Sequence, residues 1–432
     1  MQTCIVGAAR RPIAWPWRKL LLALLGSSAI SFGPSVAAMV PLSLARSQAL
    51  ALQRAPALQA EALRVDAARA DALRAGQLPD PRLVLGIDNL TITGPSALEL
   101  GADDMTMRRV GVMQDWPSRR KRDARVAQAN AGIAESLARR ESSELLVARS
   151  VATAWVDRWL AESRLALLEG LHSQLVQAVK VAEARLRGGE GGSVDVLAAK
   201  GERSAHENEL SMARADIVAS RAGIRRWLGS DGDVPLAPPP DFDRLPVPAT
   251  ELRASLDQQA ALQVWDAREQ SAGAAVELAQ SEKRPDFSFG LSYGARSAGR
   301  PDMLSLEIAV ALPVFPGNRQ ERDISARRAE RDAVAAERED ARRSQAEALE
   351  RELARWQGLV ETTNRFREMV LPLAQDRSAV ALAAYGGGGE IQPWLDARKA
   401  DAESRLGYTE ALGELARSWI LLTTLLPQGN VP

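Results

Sequence analysis

The sequence predicts a mainly α-helical chain that contributes a few strands to a small membrane β-barrel, and three observations lead to this prediction. Ala, Arg, Glu and Leu dominate the 432 residues while aromatic residues make up only 4%, a composition typical of long helices and coiled coils. Two long stretches, 118–186 and 319–385, contain almost no Pro or Gly. Two other segments alternate apolar with small or polar residues, as β-strands do.

The N-terminal segment has the pattern of a secretory signal peptide. Basic residues precede an apolar run at Leu20–Phe32, and small residues near Ala37 and Ala38 suit cleavage. We therefore assign residues 1–38 to a signal peptide that exports the chain. The alternative, an uncleaved membrane anchor, would need a longer apolar run or a stop-transfer pattern after it.

Cys4 is the single cysteine of the chain, and it falls inside the predicted signal peptide. The exported chain is therefore expected to have no disulfide, no thiolate metal site and no lipid-modified N-terminal cysteine. Acidic and basic residues balance at 55 each, so net charge does not favour a nucleic-acid partner.

The first repeat is expected to span residues 39–228. Its predicted elements are a helix near 43–75, strands near 82–90 and 106–114, a very long helix, a Gly-rich tip turn at 187–193 and a return helix ending near Leu228. The stretch 118–186 would form a helix about 100 Å long at about 1.5 Å per residue. Its apolar residues recur at three- and four-residue spacing, which predicts long antiparallel helical hairpins.

The two halves of the chain are copies of each other. A shift of 198 residues carries Val110 onto Ile308 and residues 188–191 onto 386–389, and such internal duplication is a fold-level signal. The segments predicted after the first repeat are a Pro-rich connector at 229–250, a second repeat at 251–426 and a C-terminal tail at 427–432.

Alternation along the second strand pair predicts one apolar face. The residues expected to face lipid are Phe287, Phe289, Leu291, Tyr293, Leu304, Leu306, Ile308 and Val310. A ribbon packed on a soluble core is the alternative, but an isolated hairpin is marginal in water. Open sheet edges are not tolerated in lipid, and closed membrane barrels begin at about eight strands. Four strands per chain therefore predict a barrel shared between copies, with eight strands from two chains or twelve from three.

The chain resembles the TolC-type outer-membrane efflux proteins. The resemblance rests on the duplication, the strand and helix order, and the Gly turns followed by "SVDVLAAK" and "IQPWLDARK". Within that family, "QLPDPRLVLGIDNLTITGP" and "MTMRRVGVMQDWP" resemble the CzcC-like and copper–silver subunits that serve heavy-metal pumps. The resemblance implies a homotrimer with a twelve-stranded barrel in outer-membrane lipid and an α-helical tunnel in the periplasm. It also implies docking on a periplasmic adaptor protein and an inner-membrane pump of the resistance–nodulation–division class.

The function that this resemblance implies is a passive exit duct for heavy-metal cations, located in the outer membrane of a Gram-negative cell. Two alternatives stay open: the outer-membrane channel of a multidrug efflux or type I secretion system, and an exported structural coiled-coil protein. An enzyme is not expected and no cofactor is implied, because the histidines are isolated and no phosphate-binding loop is present.

The Gly turns mark the ends of the two predicted hairpins. They comprise Gly188, Gly189, Gly191 and Gly192 in the first repeat and Gly386, Gly387, Gly388 and Gly389 in the second. Glycine lets a chain reverse after a helix, and this alone would explain them. The resemblance implies that they also form the periplasmic tip on which the adaptor docks.

Asp195 and Asp396 begin the two return helices and are candidates for a pore constriction. Carboxylates there also suit a helix N-terminus, whatever their further role. The resemblance implies an acidic pair at the constriction, of which Asp396 matches one member while Pro393 replaces the other. It also implies a basic residue that latches the closed tip, where this chain has Gly389.

No metal site is expected. The methionines Met105, Met107 and Met113 suit copper(I) in principle, but strand packing explains them as well. His172 and His206 have no partner at ligand spacing, and we expect both on helix surfaces. The basic residues at 119–122 are expected either at a solvated helix start or at the level of the lipid headgroups.

Overall fold

The computed structural model describes residues 40–296 and 299–425. The predicted signal peptide and the predicted C-terminal tail lie outside these ranges. The first half contains α1 (Leu44–Arg54), α2 (Pro56–Ala75), β1 (Arg82–Asp88), β2 (Met107–Trp116), α3 (Arg119–Gly188) and α4 (Ser193–Leu228). The second half contains α5 (Ala249–Ala254), α6 (Ala260–Ser281), β3 (Phe287–Arg296), β4 (Met303–Val310), α7 (Gln320–Arg365), a π-helical turn (Phe366–Val370), α8 (Leu371–Gly386) and α9 (Gln392–Thr423).

Helix α3 is the longest element of the described chain, with 70 residues, or about 105 Å at about 1.5 Å per residue. The Ser118 hydroxyl caps its start by accepting a hydrogen bond from the Lys121 N–H at 3.4 Å. Gly189 ends it in a left-handed conformation, with φ of 75°, which glycine adopts at little cost. The helix therefore runs without a break from the sheet to the tip of the first hairpin.

Two expected helices are interrupted in the structure. The helix expected over 43–75 divides at Ala55, because Pro56 has no N–H to continue the hydrogen-bond ladder. The long helix expected over 319–385 begins at Gln320 and passes through the π-helical turn before Pro372. The second hairpin thus has a defined irregularity in a region where the first has none.

The four strands form one antiparallel sheet in the order β1-β2-β3-β4. The two repeats meet at β2 and β3, where Val110 lies opposite Tyr293 and Val112 opposite Leu291. Strands β1 and β4 are the edges, and every residue of β4 is exposed. The sheet of one chain is therefore open on both sides.

The main hydrophobic core lies midway along the helices and fixes the non-helical segments. Trp155 is fully buried, and its indole N–H donates to the Leu42 carbonyl at 2.8 Å. Trp356 and Trp419 donate in the same way to Phe242 and Arg244 of the connector, at 3.0 and 2.8 Å. Tryptophan supplies both apolar surface and an indole N–H donor, so these side chains hold the connector against the helices.

None of the helices in the described residues is long and apolar enough to cross a membrane.

Candidate functional site

The tip of the first hairpin is a tight turn built on glycine. After Gly189, the Glu190 N–H bonds back to the Arg185 carbonyl at 2.9 Å. The Gly192 N–H then donates to the Asp195 carboxylate at 3.4 Å, which satisfies one of the donors that a helix start leaves free. The turn needs glycine at position 189 because its φ is positive.

The tip of the second hairpin uses glycine for two separate reasons. Gly388 has a φ of 103°, in the region that disfavours residues with a Cβ. Gly389 lies so close to the preceding helix that a Cβ would come within 2.9 Å of the Ala384 carbonyl oxygen. Gly386, in contrast, has open space around it.

Arg185 joins the two tips within one chain. Its guanidinium carbon lies 4.5 Å from the centroid of the Tyr385 ring. The same group donates to the carbonyls of Tyr385 at 3.1 Å and Gly389 at 3.3 Å, and to the Glu190 carbonyl at 3.3 Å. One side chain of the first hairpin therefore contacts the turns of both hairpins.

A small apolar cluster supports this contact. The Tyr385 and Trp394 rings stack almost in parallel, with centroids 5.8 Å apart, and Ile391 and Leu395 are buried with them. Leu175 and other residues of α3 and α4 complete the cluster. The two tips thus share one core at the end of the molecule remote from the sheet.

A groove of about 1070 Å³ lies between α3 and α8 next to the tips. Arg185 and Arg398 line it, and burial lowers the pKa of the Arg398 guanidinium from its usual value. A guanidinium stays charged even so, because its usual pKa is above 12. Glu190 also lines the groove, so its charged lining combines two cations with one carboxylate where the hairpins face each other.

At the opposite end, the sheet presents one continuous apolar face. Phe287, Phe289, Leu291 and Tyr293 lie directly opposite Val310, Ile308, Leu306 and Leu304. All eight side chains are exposed, by between 41% and 73%. The other face carries small and charged residues, among them Arg109, which pairs with Asp88 at 3.1 Å.

Comparisons with known proteins agree with this architecture. Residues 48–230 match the family model described as outer membrane efflux protein. That match covers the first repeat, and the second repeat has the same order of strand pair, long helix and return helix. The first half of the chain is therefore similar to the outer membrane efflux proteins.

Solved structures match this chain over nearly its whole length. CusC matches with a TM-score of 0.75 and 17% identity, covering 90% of this chain and 92% of CusC. VceC from Vibrio cholerae matches with a TM-score of 0.70 and 18% identity, covering 88% and 95%. The open-state MtrE channel of Neisseria gonorrhoeae gives 0.68 and 16%, covering 88% of each chain. At these identities the structures show the shared fold. No curated protein sequence matches the chain.

The matched family model describes outer membrane efflux proteins, and MtrE is an outer membrane channel. The mainly helical fold with four strands, expected from the sequence, is confirmed.

The structure gives each candidate constriction residue a hydrogen-bond partner within four residues in the sequence. Asp195 caps α4 as described above, and Asp396 is exposed and accepts a hydrogen bond from the Gln392 amide at 2.8 Å. Asp396 is thus free to face a pore in an assembly, while Asp195 has a local structural role.

Sequence reasoning missed Arg185 and Tyr385, and it was wrong about His206. His206 is only 5% exposed, and its Nε2 lies 2.8 Å from the Leu168 carbonyl of α3. Its ring stacks on that of His172, with centroids 6.1 Å apart. The sequence did contain a signal for this contact. Both histidines lie 17 residues from Gly189, and an antiparallel hairpin that turns there brings the two positions together.

Lys121 was expected at a solvated helix start or near the headgroups, but it is 3% exposed. Its ammonium group pairs with Glu282 at 2.8 Å and Asp286 at 2.7 Å. Burial alone would lower the pKa of Lys121, but the hydrogen bonds and charges of both carboxylates raise it overall. Lys121 therefore joins the start of α3 in the first repeat to the start of β3 in the second.

Proposed function

We propose that this chain is a TolC-type outer membrane efflux protein, a channel and not an enzyme. It serves as the exit duct of a tripartite system with a periplasmic adaptor and an inner-membrane pump of the resistance–nodulation–division class. In this role it acts as a homotrimer and passes substrate passively, because energy and substrate choice belong to the pump. The proposal rests on one observation: an open four-stranded sheet with an exposed apolar face continues directly into helices about 100 Å long.

Closure of the sheet supports the trimer. Edge strands with free backbone groups are not stable in lipid, and four strands are fewer than the about eight of the smallest closed barrels. Three copies supply twelve strands, which leave a lumen, whereas eight leave an interior filled by side chains. The long helices would extend that lumen into the periplasm as a tunnel.

The Gly-rich tips are the proposed adaptor-docking surface. They lie at the end of the hairpins farthest from the sheet, and the shared cluster around Tyr385 and Trp394 gives them a defined shape. A ring of three Asp396 side chains is the proposed constriction next to them. Rings of carboxylates favour cations over anions, in keeping with a metal cargo.

The heavy-metal assignment rests on the resemblance of segments 77–95 and 105–117 to subunits of heavy-metal systems. Its test is growth of a deletion strain, with and without the restored gene, on copper, silver, zinc, cadmium and cobalt salts and on hydrophobic drugs. Sensitivity to metals alone, reversed by the gene, is the expected result. Sensitivity to drugs alone would contradict the metal assignment and would indicate a multidrug channel. A pump deletion in the same background should reproduce the metal phenotype.

A further inference from the structure

The methionines of the four strands all lie on the polar face of the sheet, the face opposite the apolar one. Met107, Met113 and Met303 share this polar face, because residues directly opposite each other in a ladder point to the same side. The apolar face carries the Phe, Tyr, Trp, Leu and Ile residues of the described strands and no methionine. Burial of apolar surface alone would favour methionine on the apolar face, so the polar face indicates a further role.

A glycine of β3 leaves room between two of these side chains. Gly294 lies directly opposite Met303 of β4 and diagonally opposite Met107 of β2. The Met107 Sδ lies only 3.3 Å from the point that a Cβ at Gly294 would occupy. Strands β2 and β4 are about 10 Å apart, which is two strand spacings of about 4.8 Å. A flexible methionine from each side can therefore reach the space over Gly294.

The guanidinium groups near this space have oxygen partners elsewhere. Arg109 lies directly opposite Gly294, but its side chain points towards β1, where it pairs with Asp88 at 3.1 Å. Arg296 donates to the Asp104 carbonyl at 2.8 and 3.1 Å. Both positive charges are therefore held by other groups, and the space over Gly294 stays open to the two thioethers.

Two other methionine sulfurs at the sheet are already engaged. The Arg82 guanidinium donates to Met113 Sδ at 3.8 Å. The Arg296 guanidinium donates to Met105 Sδ, also at 3.8 Å. Within the described chain, the sulfurs of the two methionines beside Gly294 accept no such bond. These two thioethers are thus the soft donors that this part of the polar face leaves free.

We propose that Met107 and Met303 bind a soft monovalent cation, Cu(I) or Ag(I), over Gly294. Thioether sulfur is a soft ligand that selects such ions over hard cations like Mg²⁺. From the sequence we expected no metal site, because the strand pairing that places Met303 beside Gly294 is not visible there. Two ligands bind less tightly than a full coordination shell, which suits a duct from which each ion has to leave.

The inference rests on the proposed function for the position of this site, although not for the binding itself. Met107 begins β2 and Met303 begins β4, so both lie at the loop end of the sheet, away from the helices. In a closed barrel the polar face lines the lumen, and the site then lies at its outer end. The proposed heavy-metal cargo is thereby narrowed to soft monovalent ions.

Oxidation footprinting tests the site in the unmodified chain. Hydrogen peroxide converts methionine to its sulfoxide, and a sulfur that binds Ag(I) is protected because its lone pair is engaged. The purified protein is oxidised in mild detergent with and without silver nitrate, in chloride-free buffer, and each methionine is measured by peptide mass spectrometry. Ag(I) should slow oxidation of Met107 and Met303 severalfold, and Mg²⁺ should have no effect. Met212 and Met369, which are exposed and remote from the sheet, are internal controls and should oxidise equally with and without silver.

Variants test the site by the amount of silver retained in equilibrium dialysis. A Cys4→Ser background removes the single thiol. In it, Met107→Leu with Met303→Leu keeps the side-chain volume and should lower the silver bound, whereas Met113→Leu should not. Gly294→Ala keeps every sulfur but places a methyl group 3.3 Å from Met107 Sδ, and it should also lower the silver bound.

The outcomes separate this site from the proposed function. Silver that protects all methionines equally, or that leaves Met107 and Met303 unprotected, would overturn the site. Equal silver binding by the double variant and the parent protein would overturn it as well. None of these results would alter the subunit mass or the growth phenotype, which test the exit duct. Protection of both methionines in a chain that stays monomeric without detergent would support the site and overturn the duct.

Discussion

The guanidinium of Arg185 in the first hairpin lies over the ring of Tyr385 in the second, 4.5 Å from its centroid. Cation–π contacts of this kind contribute about 0.5–2 kcal/mol, and the hydrogen bonds to the Tyr385 and Gly389 carbonyls add to that. The sequence has glycine at the position where a basic latch residue was expected from the resemblance. Arg185 places a basic group at the same turn from the other hairpin.

Replacing Arg185 should loosen the tip. We expect Arg185→Met to separate the two hairpins there and to raise the conductance of the reconstituted channel severalfold. Arg185→Lys should give an intermediate value, because an ammonium cannot reproduce the planar fork of a guanidinium. Arg187→Met removes an exposed charge two residues away and is the matched control. An unchanged conductance in Arg185→Met would show that this contact does not restrict the pore.

The second Gly turn should tolerate substitution unevenly. Gly388→Val forces a β-branched residue to a φ of 103°, and Gly389→Val drives a side chain against Ala384. Both should abolish efflux in a growth assay while the oligomer still forms. Gly386→Ala enters open space and should retain efflux. Wild-type efflux in the Gly388 and Gly389 variants would exclude a role for the shape of this tip in docking.

The two aspartates should differ in their effects. Asp396→Asn removes an exposed charge, so the ratio of cation to anion permeability should fall in planar bilayers without loss of stability. Asp195→Asn should change selectivity less, because that carboxylate caps its own helix. The measurement is the reversal potential in a salt gradient. A reversal potential that Asp396→Asn leaves unchanged would remove Asp396 from the constriction.

The core around the connector offers a stability prediction. Trp155→Phe removes the indole donor to the Leu42 carbonyl, which keeps its hydrogen bond from the Ala237 N–H at 3.1 Å, and one hydrogen bond contributes about 0.5–1.5 kcal/mol. The free energy of unfolding in denaturant should fall by about that amount. Trp265→Phe, at a half-buried position where the ring contacts Arg268, should cost less. Equal losses in the two variants would contradict the role given to this hydrogen bond.

The sequence predicted the long helices and the strands well because their signals are local and periodic. Helix α3 shows this, since no Pro interrupts it and Gly189 ends it. The contact of Arg185 with Tyr385 could not be predicted in this way, because it joins residues 200 apart through the relative placement of two hairpins. The burial of Lys121 was missed for the same reason, since its partners Glu282 and Asp286 lie in the other repeat, between α6 and β3.

The interruptions of the helices were partly predictable. Proline at 56 explains the break after α1, but the π-helical turn at Phe366–Val370 begins six residues before Pro372. Phe366 there packs on the ring of Tyr408 in α9, with centroids 6.2 Å apart. Pro372 has no N–H for the carbonyl of residue 368, which lies inside this turn, so the sequence indicates an irregularity here although it does not give its π-helical form.

The most direct test of the central claim is the mass of the protein extracted from outer membranes in mild detergent and measured by native mass spectrometry. The account predicts three copies of the chain in one particle that requires detergent and dissociates to single chains on heating. A single chain that stays in solution without detergent would contradict it.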